Sequence, residues 1–89
     1  MIPTKLKIGG HDYTVELTER ENIEDALGEH DRHRNRIRIC QTDPITQQEE
    51  TLLHEIIHAV NGGLKEDLVD GLACSLYQVL HDNKIRFDD

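Results

Sequence analysis

Residues 46–82 read TQQEETLLHEIIHAVNGGLKEDLVDGLACSLYQVLHD, and this stretch decides the fold. Leu52, Leu53, Ile56, Ile57 and Val60 recur at helical spacing and form one apolar stripe of a helix predicted over residues 46–61. Thr46 and Glu49 have the spacing of a capping box at its start. Gly62 and Gly63 stand where glycine ends a helix. A second helix is predicted over residues 65–82, with Leu68, Val69, Leu72, Leu76, Val79 and Leu80 turned toward the core. A turn this tight sets the end of the first helix beside the start of the second.

Upstream, the period changes from helical to alternating. In residues 5–17, Leu6 and Ile8 alternate with lysines, and Tyr13, Val15 and Leu17 alternate with polar residues. Gly9 and Gly10 between them tolerate positive φ, so the segment reads as a β-hairpin. Residues 18–26 are polar and read as a loop or short helical turn, anchored by Ile23 and Leu27. In residues 35–40, NRIRIC, Ile37 and Ile39 point one way and Arg36 and Arg38 the other, as in a half-exposed strand. A short segment at residues 28–31 pairs with it across a turn at 32–34. Asp43 and Pro44 break the strand, and Ile85 and Phe87 form a tail that tucks back. The expected architecture is α+β: a small antiparallel sheet, made of the hairpin and the strand near 35–40, packed on two helices in a single domain over residues 1–89.

A domain of 89 residues buries a limited share of its surface, and a bound metal would help to hold it together. With two tyrosines, one phenylalanine and no tryptophan, its core is aliphatic. The net charge of −8 argues against a nucleic-acid partner and against docking on anionic lipid. Cys40 and Cys74 make no C-x-x-C pair and read as free thiols of a reducing compartment. No apolar run is long enough for a signal peptide or a membrane span, so the expected location is cytoplasmic.

The chemistry sits in HEIIH, residues 54–58. On a helix, His54 and His58 lie one turn apart on the same face and can grip one metal ion. Glu66, just past the turn, is placed to be the third protein ligand. Two histidines, a glutamate and a water form a known catalytic zinc arrangement. Asp70, one turn beyond Glu66, can accept a hydrogen bond from the outer nitrogen of a ligating histidine and fix its tautomer. Glu55 points away from the metal but within reach of the water, as a general base for hydrolysis of a peptide bond. The cofactor is Zn2+ on this reading, although the same donors also suit iron or manganese.

HEIIH followed by EDLVD, residues 66–70, resembles the gluzincin metallopeptidases. The resemblance implies zinc bound by His54, His58 and Glu66, Glu55 as base, and Asp70 supporting a histidine. The wider run from Thr51 to Asn83 is similar to small phage and prophage proteins of ImmA/IrrE-like or minimal-gluzincin type. It implies a minimal zincin core with the motif on the first helix. The gap between His58 and Glu66 is shorter than in larger gluzincins, which leaves Asp67 and Asp70 as alternative third ligands.

The expected partner is a peptide or protein substrate, added as a strand along an edge formed by residues 36–40. A second reading is a zinc-stabilised binding or regulatory protein of phage type that cleaves nothing. A third is a metal-free interaction module. His30 and His33 read as solvated loop residues, and His11 and His81 as solvent-facing. Tyr77 lies about 16 Å along its helix from Glu66 and reads as packing. Nothing in the sequence places Tyr13 over the site.

Overall fold

The computed structural model of the protein describes residues 2–24 and 26–85. Gly9 and Gly10 both take positive φ, 57° and 85°. That pairing makes a two-residue turn of the kind whose twist matches a hairpin. It joins β1 (Lys5–Ile8) to β2 (His11–Thr18), with Ile8 opposite His11 and Leu6 opposite Tyr13. A 3-10 turn at Arg20–Ile23 follows, pinned by the buried Ile23. Then come β3 (Gly28–Asp31) and β4 (Arg36–Cys40), antiparallel to each other as expected. Helices α1 (Ile45–Val60) and α2 (Glu66–Asp82) follow.

The fold is α+β, but the sheet is mixed rather than antiparallel. Its order is β1-β2-β4-β3, and β2 pairs with β4 in parallel, Val15 opposite Ile37 and Leu17 opposite Ile39. The link from β2 to β3 reaches past one strand position, and β4 returns into the gap. Alternation of Ile37 and Ile39 is the same whichever way the strand runs, so the pattern could not report direction. The consequence for function is larger. β4 is an interior strand, so it cannot accept a peptide along an open edge; the free edge on that side belongs to β3.

One face of the sheet carries the core. Ile8, Tyr13, Val15, Ile37 and Ile39 cluster with Leu52 of α1. α1 lies on this face, and α2 packs on α1 rather than on the sheet. With only one helix to lean on, α2 buries Val69 and Ala73. It leaves Leu68, Leu72, Leu76 and Val79 between 40% and 50% exposed, where the sequence pattern turned all four inward. Leu17 and Val60 are likewise exposed. Tyr77 ties the two helices by donating its hydroxyl to Glu49. Burial and that hydrogen bond push the phenol up to about 12.

Both expected helix caps differ. Pro44, not Thr46, occupies the N-cap of α1, where its fixed φ starts the helix without a side-chain cap. Gln48 instead reaches back to the carbonyls of Gln41 and Asp43 (3.2 and 2.9 Å). At the other end α1 stops at Asn61 in extended conformation, and the Asn61 side chain accepts from the Gly63 backbone N–H (3.0 Å). Ile85 is 43% exposed, and Phe87 lies outside the described residues. Among the described residues no helix is long and apolar enough to cross a membrane.

Gly28 is where β3 meets α1 most closely. A Cβ built there would stand 2.5 Å from Thr51 Cγ2 and 3.2 Å from the Arg38 carbonyl oxygen. Thr51 is buried and β-branched, so it cannot swing aside cheaply. Gly28→Ala is expected to cost about 1–3 kcal/mol of stability in urea unfolding. Adding Thr51→Ser, which removes Cγ2, should recover part of the loss. An unchanged midpoint for the single variant would refute the close contact.

Candidate metal centre

His54 and His58 project from one face of α1, a turn apart, and their ring centroids are 4.8 Å apart. Glu66 opens α2 directly across the turn. His54 Nε2 lies 2.6 Å from Glu66 Oε1, His58 Nε2 lies 2.9 Å from Glu66 Oε2, and the two Nε2 atoms are 3.1 Å apart. Three donors from two helices therefore converge on one point, all within 4.8 Å of one another. The short link at residues 61–65 makes this possible, since it brings the first turn of α2 beside the last turns of α1.

Of the three acidic residues at the start of α2, only Glu66 meets the histidines on their Nε2 side. Asp67 Oδ1 accepts from the backbone N–H of Leu68 (3.0 Å). Asp70 Oδ1 lies 2.9 Å from His54 Nδ1, on the opposite side of the ring. A carboxylate only accepts, so Nδ1 carries the hydrogen of that contact. In the neutral imidazole this leaves a lone pair on Nε2, aimed at His58 and Glu66.

The donor set fits a divalent ion. A tetrahedral ion with bonds of about 2.0–2.2 Å holds its donor atoms about 3.3–3.6 Å apart. The cluster, whose contacts run from 2.6 to 3.1 Å, would open by up to about 1 Å at its shortest contact to reach that spacing. Without an ion, donation to both Glu66 oxygens needs a proton on each Nε2. That makes His54 a cation and sets two N–H groups 3.1 Å apart. An ion accepts the three lone pairs together.

Glu55 is the buried carboxylate of the site, 7% exposed. It lies beneath Gly28, where a Cβ would stand 3.4 Å from Glu55 Cγ. Burial pushes its carboxyl up; the neighbouring His54 and His58 pull the other way and do not cancel the effect. It lines an open cleft of about 590 Å³ together with His54, His58, Glu66 and β3. A smaller cavity of about 200 Å³ on the far side of Glu66 is lined by Glu55, His54 and Asp70 as well.

The sequence reading passed over one side chain in this cleft. His30 was expected in a solvated loop, but it sits half-buried on β3 and lines the cleft. Its Nε2 hydrogen-bonds the Tyr13 hydroxyl (3.3 Å), and burial lowers its affinity for a proton. Tyr13 itself is a core residue of β2 that reaches the site only through His30. β3 is only four residues, GEHD, with no large apolar side chain, so no alternation was legible to place His30. His33 stays exposed in the β3–β4 turn. No protein-family model, curated protein or solved structure matches this chain.

Proposed function

We propose that the protein is a zinc-dependent metallopeptidase. The observation that carries this reading is the convergence of His54, His58 and Glu66 at an open cleft whose floor holds the buried Glu55. The two histidines and Glu66 would hold the ion. Bound zinc supplies a Lewis acid that polarises a carbonyl and makes water acidic enough to act as nucleophile at neutral pH. Glu55 would accept the proton of the attacking water, and its burial raises its affinity for that proton. Asp70 holds the His54 ring in place. β3, the edge strand along the cleft, is where an extended peptide adds as a further strand. Free thiols at Cys40 and Cys74 are in keeping with a reducing cytoplasm.

Elemental analysis of protein purified without added metal, followed by cleavage of a mixed peptide library, tests the proposal. Zinc near one equivalent with cleavage supports it. Absence of zinc, with no thermal stabilisation on adding it, sinks it. Asp70→Asn is expected to weaken zinc binding by about 10–100-fold in a competition titration, because Asp70 supports a ligand without touching the ion. An affinity equal to wild type would remove Asp70 from the site.

A second reading is favoured by one feature. The site staples α2, which among the described residues packs chiefly on α1, to the rest of the fold. A zinc ion there would stabilise a small binding protein even if nothing is cleaved. Zinc binding with no hydrolysis of any library peptide selects this reading over the first.

A further inference from the structure

Arginine side chains gather beside the sheet-side end of the cleft, in a chain whose net charge is −8. Arg32, on the turn between β3 and β4, forms that end. A Cβ on Gly62 would stand 3.7 Å from Arg32 Nη1 and 3.8 Å from the His58 carbonyl oxygen. Arg32 thus reaches from the edge of the sheet to the α1–α2 turn and stands beside the last turn of the metal-binding helix.

The two acidic groups of β3, Glu29 and Asp31, are taken by other arginines. Arg38 donates through Nε and Nη2 to Glu29 Oε1 (2.9 and 2.7 Å). Arg34 and Arg36 lie 3.0 and 3.8 Å from Asp31 Oδ2. Arg32 has no hydrogen bond or ion pair among the described residues. A second groove, about 350 Å³, shares Glu29, His30 and Arg32 with the cleft and continues past them. Four guanidinium groups and two carboxylates border it. Arg36 Nε there is buried with no acceptor among the described residues. The path leading out of the metal cleft therefore offers the unpaired Arg32 guanidinium and a local excess of positive charge.

A guanidinium fork presents paired N–H groups that match a carboxylate, and a free one beside a cleft orients an anionic ligand. We propose that Arg32 is a substrate-binding residue that takes a carboxylate of the peptide, so that the site selects peptides with an acidic group near the cleavage point. This rests on the peptidase reading above. The carboxylate comes either from the free C-terminus of the peptide or from an Asp or Glu side chain.

Three fluorescent peptides of one sequence separate these sources: one with a free C-terminal carboxylate, one with a C-terminal amide, and the amide with one internal Gln replaced by Glu. Binding is read by anisotropy on the zinc-supplemented full chain carrying Glu55→Gln, and cleavage on the wild type. One of the two carboxylate peptides is expected to bind about 10–100-fold tighter than the plain amide at low salt, the range of a charge-assisted hydrogen bond. Higher salt should narrow the gap. Arg32→Gln should erase it and Arg32→Lys keep part of it. In wild-type cleavage the preference should fall on KM rather than kcat. Arg32 is exposed, so its replacement should leave the unfolding curve in place. A preference that survives Arg32→Gln, or no preference in the wild type, overturns the proposal and leaves the peptidase reading standing. An Arg32-dependent preference without cleavage upholds the carboxylate site and overturns the peptidase. Failure of all three peptides to bind overturns both.

Discussion

Glu55→Gln is expected to lower peptide cleavage by about 10²–10⁴-fold, the usual loss on removing a general base, while zinc binding stays as in wild type. Glutamine keeps the shape and fills the space under Gly28, but it cannot take up a proton at neutral pH. Glu55 is also not among the converging donors, so the ion should remain. The same variant has a second readout in the metal-free chain. Burial raises the Glu55 carboxyl above its ordinary value, so folding favours its protonated form. The stability this gives is present below the ordinary carboxylate range and is lost as pH rises through the raised value. Glutamine carries no charge to desolvate. Metal-free Glu55→Gln should therefore be more stable than metal-free wild type at pH 7, with the difference shrinking at acid pH. Cleavage by Glu55→Gln at the wild-type rate would exclude Glu55 as the base. A variant less stable than wild type at pH 7 would contradict the buried, unfavourable carboxylate.

His58→Ala is expected to abolish the stabilisation that zinc confers. At a free concentration a hundred times its dissociation constant, zinc should stabilise the wild-type fold by about 2.7 kcal/mol. For a domain of this size that is about 10–20 °C in the unfolding midpoint. The reason is topological. Two donors come from α1 and one from α2, and among the described residues α2 packs chiefly on α1. An ion bound to all three holds together two elements that the metal-free chain joins by modest packing around Val69 and Ala73. Removing His58 leaves two donors and an open side. Differential scanning calorimetry with and without zinc measures the effect, each protein serving as its own metal-free control. An equal zinc-induced shift in His58→Ala would show that the ion sits elsewhere.

Much of the site was legible because it is local. His54, Glu55 and His58 belong to one helix, and a four-residue spacing fixes their relative directions once that helix is recognised. Glu66 and Asp70 could be placed because the link between the helices is too short to carry α2 away. Their roles then separated by geometry: Glu66 faces both Nε2 atoms, and Asp70 takes the opposite nitrogen of His54. What failed was non-local. The parallel pairing of β2 with β4, the interior position of residues 36–40, and the arrival of His30 at the cleft all depend on which strand lies beside which. The inward assignment of Leu68, Leu72, Leu76 and Val79 failed for the same reason, since helical spacing names an apolar face but not what lies opposite it.

The sequence by itself determined two helices, a glycine-turned hairpin, an α+β class and a donor pair on one helical face. These follow from backbone geometry repeated every two or 3.6 residues, which needs no knowledge of distant contacts. The tertiary structure alone decided the strand order, the close seat of Gly28 on Thr51 of α1, and the placing of His30 and Arg32 around the cleft. Such placements arise from packing between segments far apart in the chain, and side-chain alternation is the same for a strand at the edge or in the middle, running in either direction.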